Sequence, residues 1–218
     1  GLDDANIRYQ VITFLIAGHE TTSGLLSFAL WLLARHPEVL ARAREEVDTV
    51  LENGRAPVYD DLDRLGVIDR ILKEALRLWP TAPGFTVAPF EDTLLDGRYL
   101  IRRDQRVTLL LPALHRDPAV WRDPEAFDID RFLPENEASI PAAAYKPFGN
   151  GQRSCIGRQF AVMEARLALA MILQRLEFED ADAPAAPLVV RETLTLKPEG
   201  FRLRVRRRRG PGPAATPA

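Results

Sequence analysis

The sequence predicts a mainly α fold with small antiparallel β-sheets. Three observations lead there: long apolar stretches at helical spacing near both ends of the chain, short extended pieces bounded by turn residues in its middle, and a composition suited to one buried core. The 218 residues are 46% hydrophobic and 28% charged, an ordinary globular balance. A formal net charge of −2 gives no whole-chain attraction for nucleic acid or for an acidic partner.

The elements follow in order. Asp3 or Asp4 can cap a helix that continues to about Arg35. Leu25, Leu26, Phe28, Leu30, Trp31, Leu32 and Leu33 leave it almost no polar stripe, so it should be packed on most sides. His19 and Glu20 divide the apolar run Val11 to Ala34 into pieces shorter than the roughly 18 residues a membrane span requires, and no transmembrane segment is expected. Pro37 suits the first turn of a second helix, Glu38 to Glu52, which Asn53-Gly54 ends. A helical turn at Tyr59 to Leu65 leads into a helix from Val67 to Trp79, and Pro80 stops it. From Phe85 to Leu111 short extended pieces turn at Asp96-Gly97 and Arg103-Asp104, the pattern of a small antiparallel sheet. The stretch Arg116 to Pro147 is rich in Pro and Asp and irregular, as functional segments of compact domains often are. Ile156 to Leu176 reads as an apolar helix, and Leu188 to Leu196 with Phe201 to Val205 as a closing strand pair. Arg206 to Arg209 and the Gly/Pro/Ala-rich residues to Ala218 have linker or tail composition.

The chemistry concentrates at Cys155, the only cysteine, in Phe148-Gly149-Asn150-Gly151-Gln152-Arg153-Ser154-Cys155-Ile156-Gly157. A single cysteine offers neither a zinc pair nor a bridge. A thiolate where a glycine-rich loop enters a helix meets free N–H groups and the positive end of the helix dipole. Gly149, Gly151 and Gly157 allow tight turns and close approach to a flat cofactor, which makes Cys155 a candidate haem-iron ligand. In the first helix, Ala17 and Thr21 share a face, and Thr21 can bond back to the carbonyl four residues earlier. Glu20 beside it needs a partner, because an unpaired buried carboxylate is costly. His19-Glu20-Thr21-Thr22-Ser23 lacks the second histidine of a zinc-protease helix. Glu74 and Arg77, three apart on a helix, form by default a surface pair contributing roughly 0.2 to 0.5 kcal/mol.

These motifs together resemble the cytochrome P450 haem-thiolate monooxygenases. Phe-Gly-x-Gly-x-Arg-x-Cys-x-Gly is complete, and Ala17-Gly18-His19-Glu20-Thr21-Thr22 and Glu74-Ala75-Leu76-Arg77 stand in the family's order. The resemblance implies a partial P450 fold, from the long central helix through the cysteine-ligand loop to the final strands. It makes residues 1–206 the C-terminal part of a haem domain, since a comparable length of chain precedes the central helix in the family, and leaves 207–218 as a basic linker or tail. By resemblance Cys155 ligates haem b, and Ala17, Phe148, Gly149, Arg153 and Gly157 lie against it, with Arg153 reaching a propionate. No basic residue occurs between Pro80 and Phe90 to add a second anchor. Glu20 and Thr21 would relay protons; Glu74, Arg77 and Arg131 would form a buried structural network; Ala82, Pro83, Phe85 and Leu194 would line the substrate pocket.

Leu78-Trp79-Pro80-Thr81-Ala82-Pro83 and the stretch Glu192 to Phe201 resemble especially the bacterial fatty-acid hydroxylases fused to a flavin reductase. That resemblance implies a hydrophobic substrate, O2, and FMN, FAD and NADPH on a reductase, fused or separate, outside this chain. An oxygen-independent isomerase or lyase on the same scaffold, or an inactive haem-binding half-domain, are the alternative readings. One cysteine and no signal-like N-terminus are compatible with a cytoplasmic location.

Overall fold

A computed structural model describes residues 1–181 and 187–208. Helix α1 (Asp4–Arg35) begins where Asp3 accepts a hydrogen bond from the Asn6 N–H at 2.7 Å, satisfying a donor that the first turn leaves free. Helix α2 (Pro37–Val50) follows at once, and Asn53 (φ 57°) and Gly54 (φ 71°) end it in the left-handed region through a 3₁₀ turn. A second 3₁₀ turn, Tyr59–Arg64, leads into α3 (Gly66–Leu78). The α3 N-terminus is capped from α2: Glu46 accepts from the N–H groups of Val67 at 2.6 Å and Ile68 at 3.0 Å. Its burial still raises the Glu46 carboxyl above its ordinary value.

The extended middle is two separate ladders. Strand β1 (Gly84–Val87) pairs antiparallel with β4 (Val107–Leu110), and between them β2 (Thr93–Leu95) and β3 (Tyr99–Ile101) form a hairpin at Asp96-Gly97, both at positive φ. Short helix α4 (Leu111–Leu114) precedes the irregular segment, which carries a 3₁₀ turn at Ile129–Phe132 and the short helix α5 (Pro134–Glu137). Helix α6 (Arg158–Arg175) follows the cysteine loop. Its neighbour β5 (Leu176–Asp180) pairs with β8 (Leu203–Arg207), while β6 (Val189–Glu192) and β7 (Leu196–Glu199) make a hairpin of their own. The expected closing pair is therefore corrected: the chain reverses at Thr193-Leu194-Thr195, and the last strand pairs with β5.

The core lies where α1, α2, α3 and α6 meet, around Leu25, Leu32, Val47, Ile71, Ala75 and Leu169. Phe28 of α1 stacks on Trp79 with ring centroids 5.3 Å apart. The expectation that α1 is packed on most sides holds only for its C-terminal half. Ile7, Tyr9, Val11, Ile12, Phe14, Leu15 and Ile16 are 45% to 68% exposed. At the other end β8 includes Arg207, and Arg208 makes a bidentate pair with Asp48 at 2.7 and 2.6 Å, so these two residues are folded rather than tail. The expected linker from residue 209 onward lies outside the described residues.

Candidate functional site

The cysteine loop is shaped by backbone. The Cys155 N–H donates to the Phe148 carbonyl at 2.9 Å, closing the loop on itself, with Gly149 (φ 77°) and Gly151 (φ 65°) in the left-handed region where a side chain would be strained. Cys155 is free and exposed, and Gly157 passes so close that a Cβ there would lie 3.9 Å from its Sγ. Arg153 is exposed in the 3₁₀ turn Gly151–Arg153. Phe148 is half-buried against the main core, with Arg158 over its ring. A cleft of about 1200 Å³ runs beside this loop, lined by Phe148, Gly149, Gly151 and Ser154 and also by Leu25, which lies one turn beyond Thr21 on α1. Helix α1 and the cysteine loop thus border one space, although Cys155 itself is not in that lining.

On α1 the Thr21 hydroxyl donates to the Ala17 carbonyl at 2.7 Å, the back-bond expected from the sequence. Ala17 is exposed, and a Cβ on the neighbouring Gly18 would meet nothing within 4 Å. Glu20 is neither buried nor unpaired: half-exposed, its Oε2 accepts from Lys197 Nζ of β7 at 2.7 Å. Hydrogen bonding to Lys197 holds its carboxyl below the ordinary value.

Glu74 and Arg77 depart from the default surface pair, for both side chains are 0% exposed. All five guanidinium N–H groups of Arg77 have acceptors. Nε and one terminal nitrogen donate to Glu74 at 2.7 and 2.8 Å, and the rest reach the carbonyls of His115 (2.9 Å), Pro124 (2.7 Å) and Ala126 (2.9 Å). Glu74 also accepts from the Asp128 N–H at 3.0 Å, and Arg131 Nε lies 3.4 Å away as an ion pair, its Nη2 donating to the Asp123 carbonyl at 2.8 Å. The arrangement fastens the irregular segment to α3. The residues just before the cysteine loop are held nearby, because His115 Nε2 accepts from the Lys146 N–H at 3.0 Å and the Tyr145 hydroxyl donates to Lys73 O at 2.9 Å. Burial depresses the His115 imidazole to about 4, which keeps it neutral and able to accept.

The four pocket candidates converge in part. The Leu196 N–H donates to Thr81 O at 2.9 Å, setting the β6–β7 hairpin beside the segment carrying Ala82 and Pro83, and the Leu111 N–H fixes Pro83 O at 2.9 Å. Leu194, 85% exposed, sits at the hairpin tip, and Phe85 is half-buried in β1. Sequence reasoning missed Lys197, Gly24 and His115. Only the glycine inside an apolar helix was a local signal, since it marks close approach of another backbone.

Among the described residues no cluster of three or more His, Cys, Asp or Glu could hold a metal ion, so a bare ion has no donor set here. One exposed thiol on a glycine loop would fit an iron that brings most of its own ligands and takes one from the protein. The loop thus leaves room beside the thiol for a flat, pre-ligated metal group. The chain belongs to the cytochrome P450 family, whose match spans residues 1–205.

It is 52% identical over 208 residues to the bifunctional cytochrome P450/NADPH–P450 reductase 1 of Bacillus subtilis, covering 95% of this chain and 19% of that protein. It is 51% identical over 212 residues to the self-sufficient cytochrome P450 monooxygenase CYP505E5 of Aspergillus kawachii, covering 96% and 20%. The crystal structure of the cytochrome P450DA heme domain superposes with a TM-score of 0.90 at 58% identity, over 95% of this chain and 45% of that one. The chain spans about a fifth of the length of these curated relatives. Fungal relatives, at 48% to 51% identity, are nearly as similar as the bacterial ones at 52%, so the resemblance is not to bacterial proteins alone. Among the described residues no helix is long and apolar enough to cross a membrane.

Proposed function

We propose that this chain forms the thiolate-ligand part of a haem monooxygenase that hydroxylates long-chain fatty acids with electrons from NADPH. The observation that carries this reading is the free, exposed Cys155 on a glycine-shaped loop whose residues Phe148 to Gly151 and Ser154 border the same cleft as Leu25 of α1. When bound, haem would supply the redox iron at which O2, two electrons from NADPH and two protons yield one oxygen atom inserted into a C–H bond and one molecule of water.

The chain's own residues would do the rest. Cys155 Sγ would ligate the iron, Phe148 would limit access to it, and Ala17, Gly149 and Gly157 would leave room for a flat group. Exposed Arg153 presents a cation to a carboxylate of that group. Thr21 Oγ1 and the Glu20 carboxyl hold and move protons. Ala82, Pro83, Phe85 and Leu194 present apolar surface to a hydrophobic substrate, while Glu74, Arg77 and Arg131 keep the loop's support rigid. FMN, FAD and the NADPH site belong to a reductase outside this chain, a reading supported by the fused relatives. A cytoplasmic location agrees with a supply of NADPH.

The test uses the full-length protein. Its reduced carbon monoxide complex should show a far-red-shifted Soret band, and Cys155→His should abolish it; retention of the band would make another residue the ligand. NADPH oxidation stimulated by long-chain fatty acids supports the substrate, and stimulation only by unrelated compounds would overturn that part alone.

A further inference from the structure

The chain holds two Asn-Gly pairs, Asn53-Gly54 and Asn150-Gly151. In such a pair the asparagine side-chain amide is open to attack by the next backbone nitrogen, because glycine has no Cβ to block the approach. The two pairs differ in what holds that nitrogen. The Gly54 N–H donates to the Leu51 carbonyl at 3.2 Å within a 3₁₀ turn, which keeps it from the Asn53 side chain. The Gly151 N–H makes no hydrogen bond among the described residues. Asn150 and Gly151 are both exposed, and a Cβ on Gly151 would meet nothing within 4 Å, so water reaches the pair and the backbone has room to turn.

Asn150 has a second feature. Lys146 Nζ donates to its Oδ1 at 3.1 Å. An ammonium can only donate, so the atom facing it is the amide oxygen. Attack on the amide carbon puts negative charge on that oxygen, and Lys146 is already aimed at it.

We propose that Asn150-Gly151 is a spontaneous modification site, at which the cysteine loop exchanges an amide for a carboxylate as the protein ages. Solvent hydroxide takes the Gly151 N–H proton, and the nitrogen attacks Asn150 Cγ to form a cyclic imide. The bond from Cγ to Nδ2 breaks, and that nitrogen leaves as ammonia with a proton from water, which returns the hydroxide. Water then opens the imide at either carbonyl, leaving an aspartyl or an isoaspartyl residue at position 150.

The position gives the reaction a consequence. The hydrogen bond from the Cys155 N–H to the Phe148 carbonyl closes the loop over residues 149–154. An isoaspartyl linkage lengthens the backbone inside that closure and displaces the sulfur from where the glycines set it. The effect on haem rests on the Cys155 reading given under Proposed function, whereas the modification itself does not.

The test ages the full-length haem-loaded protein at mildly alkaline pH and follows both asparagines by peptide mass mapping with isoaspartyl detection. Asn150 should gain the mass of an acid severalfold faster than Asn53. Lys146→Met should slow Asn150 severalfold and leave Asn53 at its rate, and Lys146→Arg should restore the Asn150 rate. The far-red-shifted Soret band of the reduced carbon monoxide complex should fade in step with isoaspartyl formation and persist in Asn150→Gln. Reaction at Asn150 no faster than at Asn53 would overturn the site, and an unchanged rate in Lys146→Met would overturn the role of the cation. Isoaspartyl at position 150 with an undiminished band would overturn the coupling to the sulfur. Absence of the band from fresh protein would overturn the Cys155 reading and leave the modification standing.

Discussion

Replacing Glu74 by Gln removes one charge from a site where nothing is exposed to water. The substitution keeps the shape of the side chain, so packing changes little. What it removes is the counter-charge and one of the two side-chain acceptors for Arg77, whose guanidinium is 0% exposed and otherwise has the carbonyls of His115, Pro124 and Ala126. In either amide orientation it also presents an N–H₂ to at least one N–H donor, Arg77 Nε at the Oε2 position or Arg77 Nη2 and the Asp128 N–H at the Oε1 position. Breaking a buried pair in this way costs about 3 to 5 kcal/mol, against roughly 0.2 to 0.5 for an exposed helix pair. The gap between those figures makes the experiment decisive. Urea unfolding of the haem-loaded protein gives the number, and Asp96→Asn serves as control because the Arg98–Asp96 pair is 70% and 68% exposed. The control should cost under about 0.5 kcal/mol. A loss below about 1 kcal/mol for Glu74→Gln would refute the argument.

The reverse substitution carries a sign. In Arg77→Met the Glu74 carboxyl, which burial already raises above its ordinary value, loses its main opposing cation. Its folded-state value then rises further above the unfolded one, so the folded protein gains relative stability at low pH and loses it as pH rises. The destabilisation should therefore be smaller at about pH 5 than at about pH 8. Because the same network holds the loop entry through His115 and Lys146, haem retention should fall in parallel.

Three further outcomes are expected. Thr21→Ala in the full-length protein should raise the peroxide released per NADPH consumed while substrate affinity changes little, and unchanged coupling would remove Thr21 from the relay. His115, depressed from 6.5 to about 4, contributes stability that is fully present above pH 6.5 and lost as pH falls toward about 4, roughly 3 kcal/mol in all; His115→Gln should flatten that part of a melting-versus-pH curve. Expressed as these 218 residues alone, the chain should aggregate or bind haem weakly, because Ile7, Phe14, Leu15 and Ile16 lie exposed along α1; a soluble, cooperatively melting monomer with tightly held haem would contradict this.

What the sequence made legible was local. Asp3, Pro37, Asn53-Gly54 and Asp96-Gly97 mark boundaries because a cap, a missing N–H or a left-handed residue acts on its own few neighbours, and each boundary falls within a residue or two of its signal. The glycines of the cysteine loop were legible for the same reason. Partner choice was not, since it depends on surfaces far apart in the chain. Strand β8 had an obvious near neighbour in the stretch before it, yet it pairs with β5, where Glu177 and Glu179 face Arg206 and Arg204 in ion pairs at 2.6 and 3.0 Å. Glu74 and Arg77 at three-residue spacing look the same in sequence whether wet or dry; their burial is decided by the carbonyls of a segment with no periodicity at all. Glu20 is the most instructive residue. Sequence reasoning required a partner for it on electrostatic grounds and had no means of naming one, because the partner is placed by Gly24, whose role is visible only once β7 lies on the helix. The chemistry-bearing residues were thus readable as types in a pattern, while the residues that orient them were not, since orientation is a property of packing between elements.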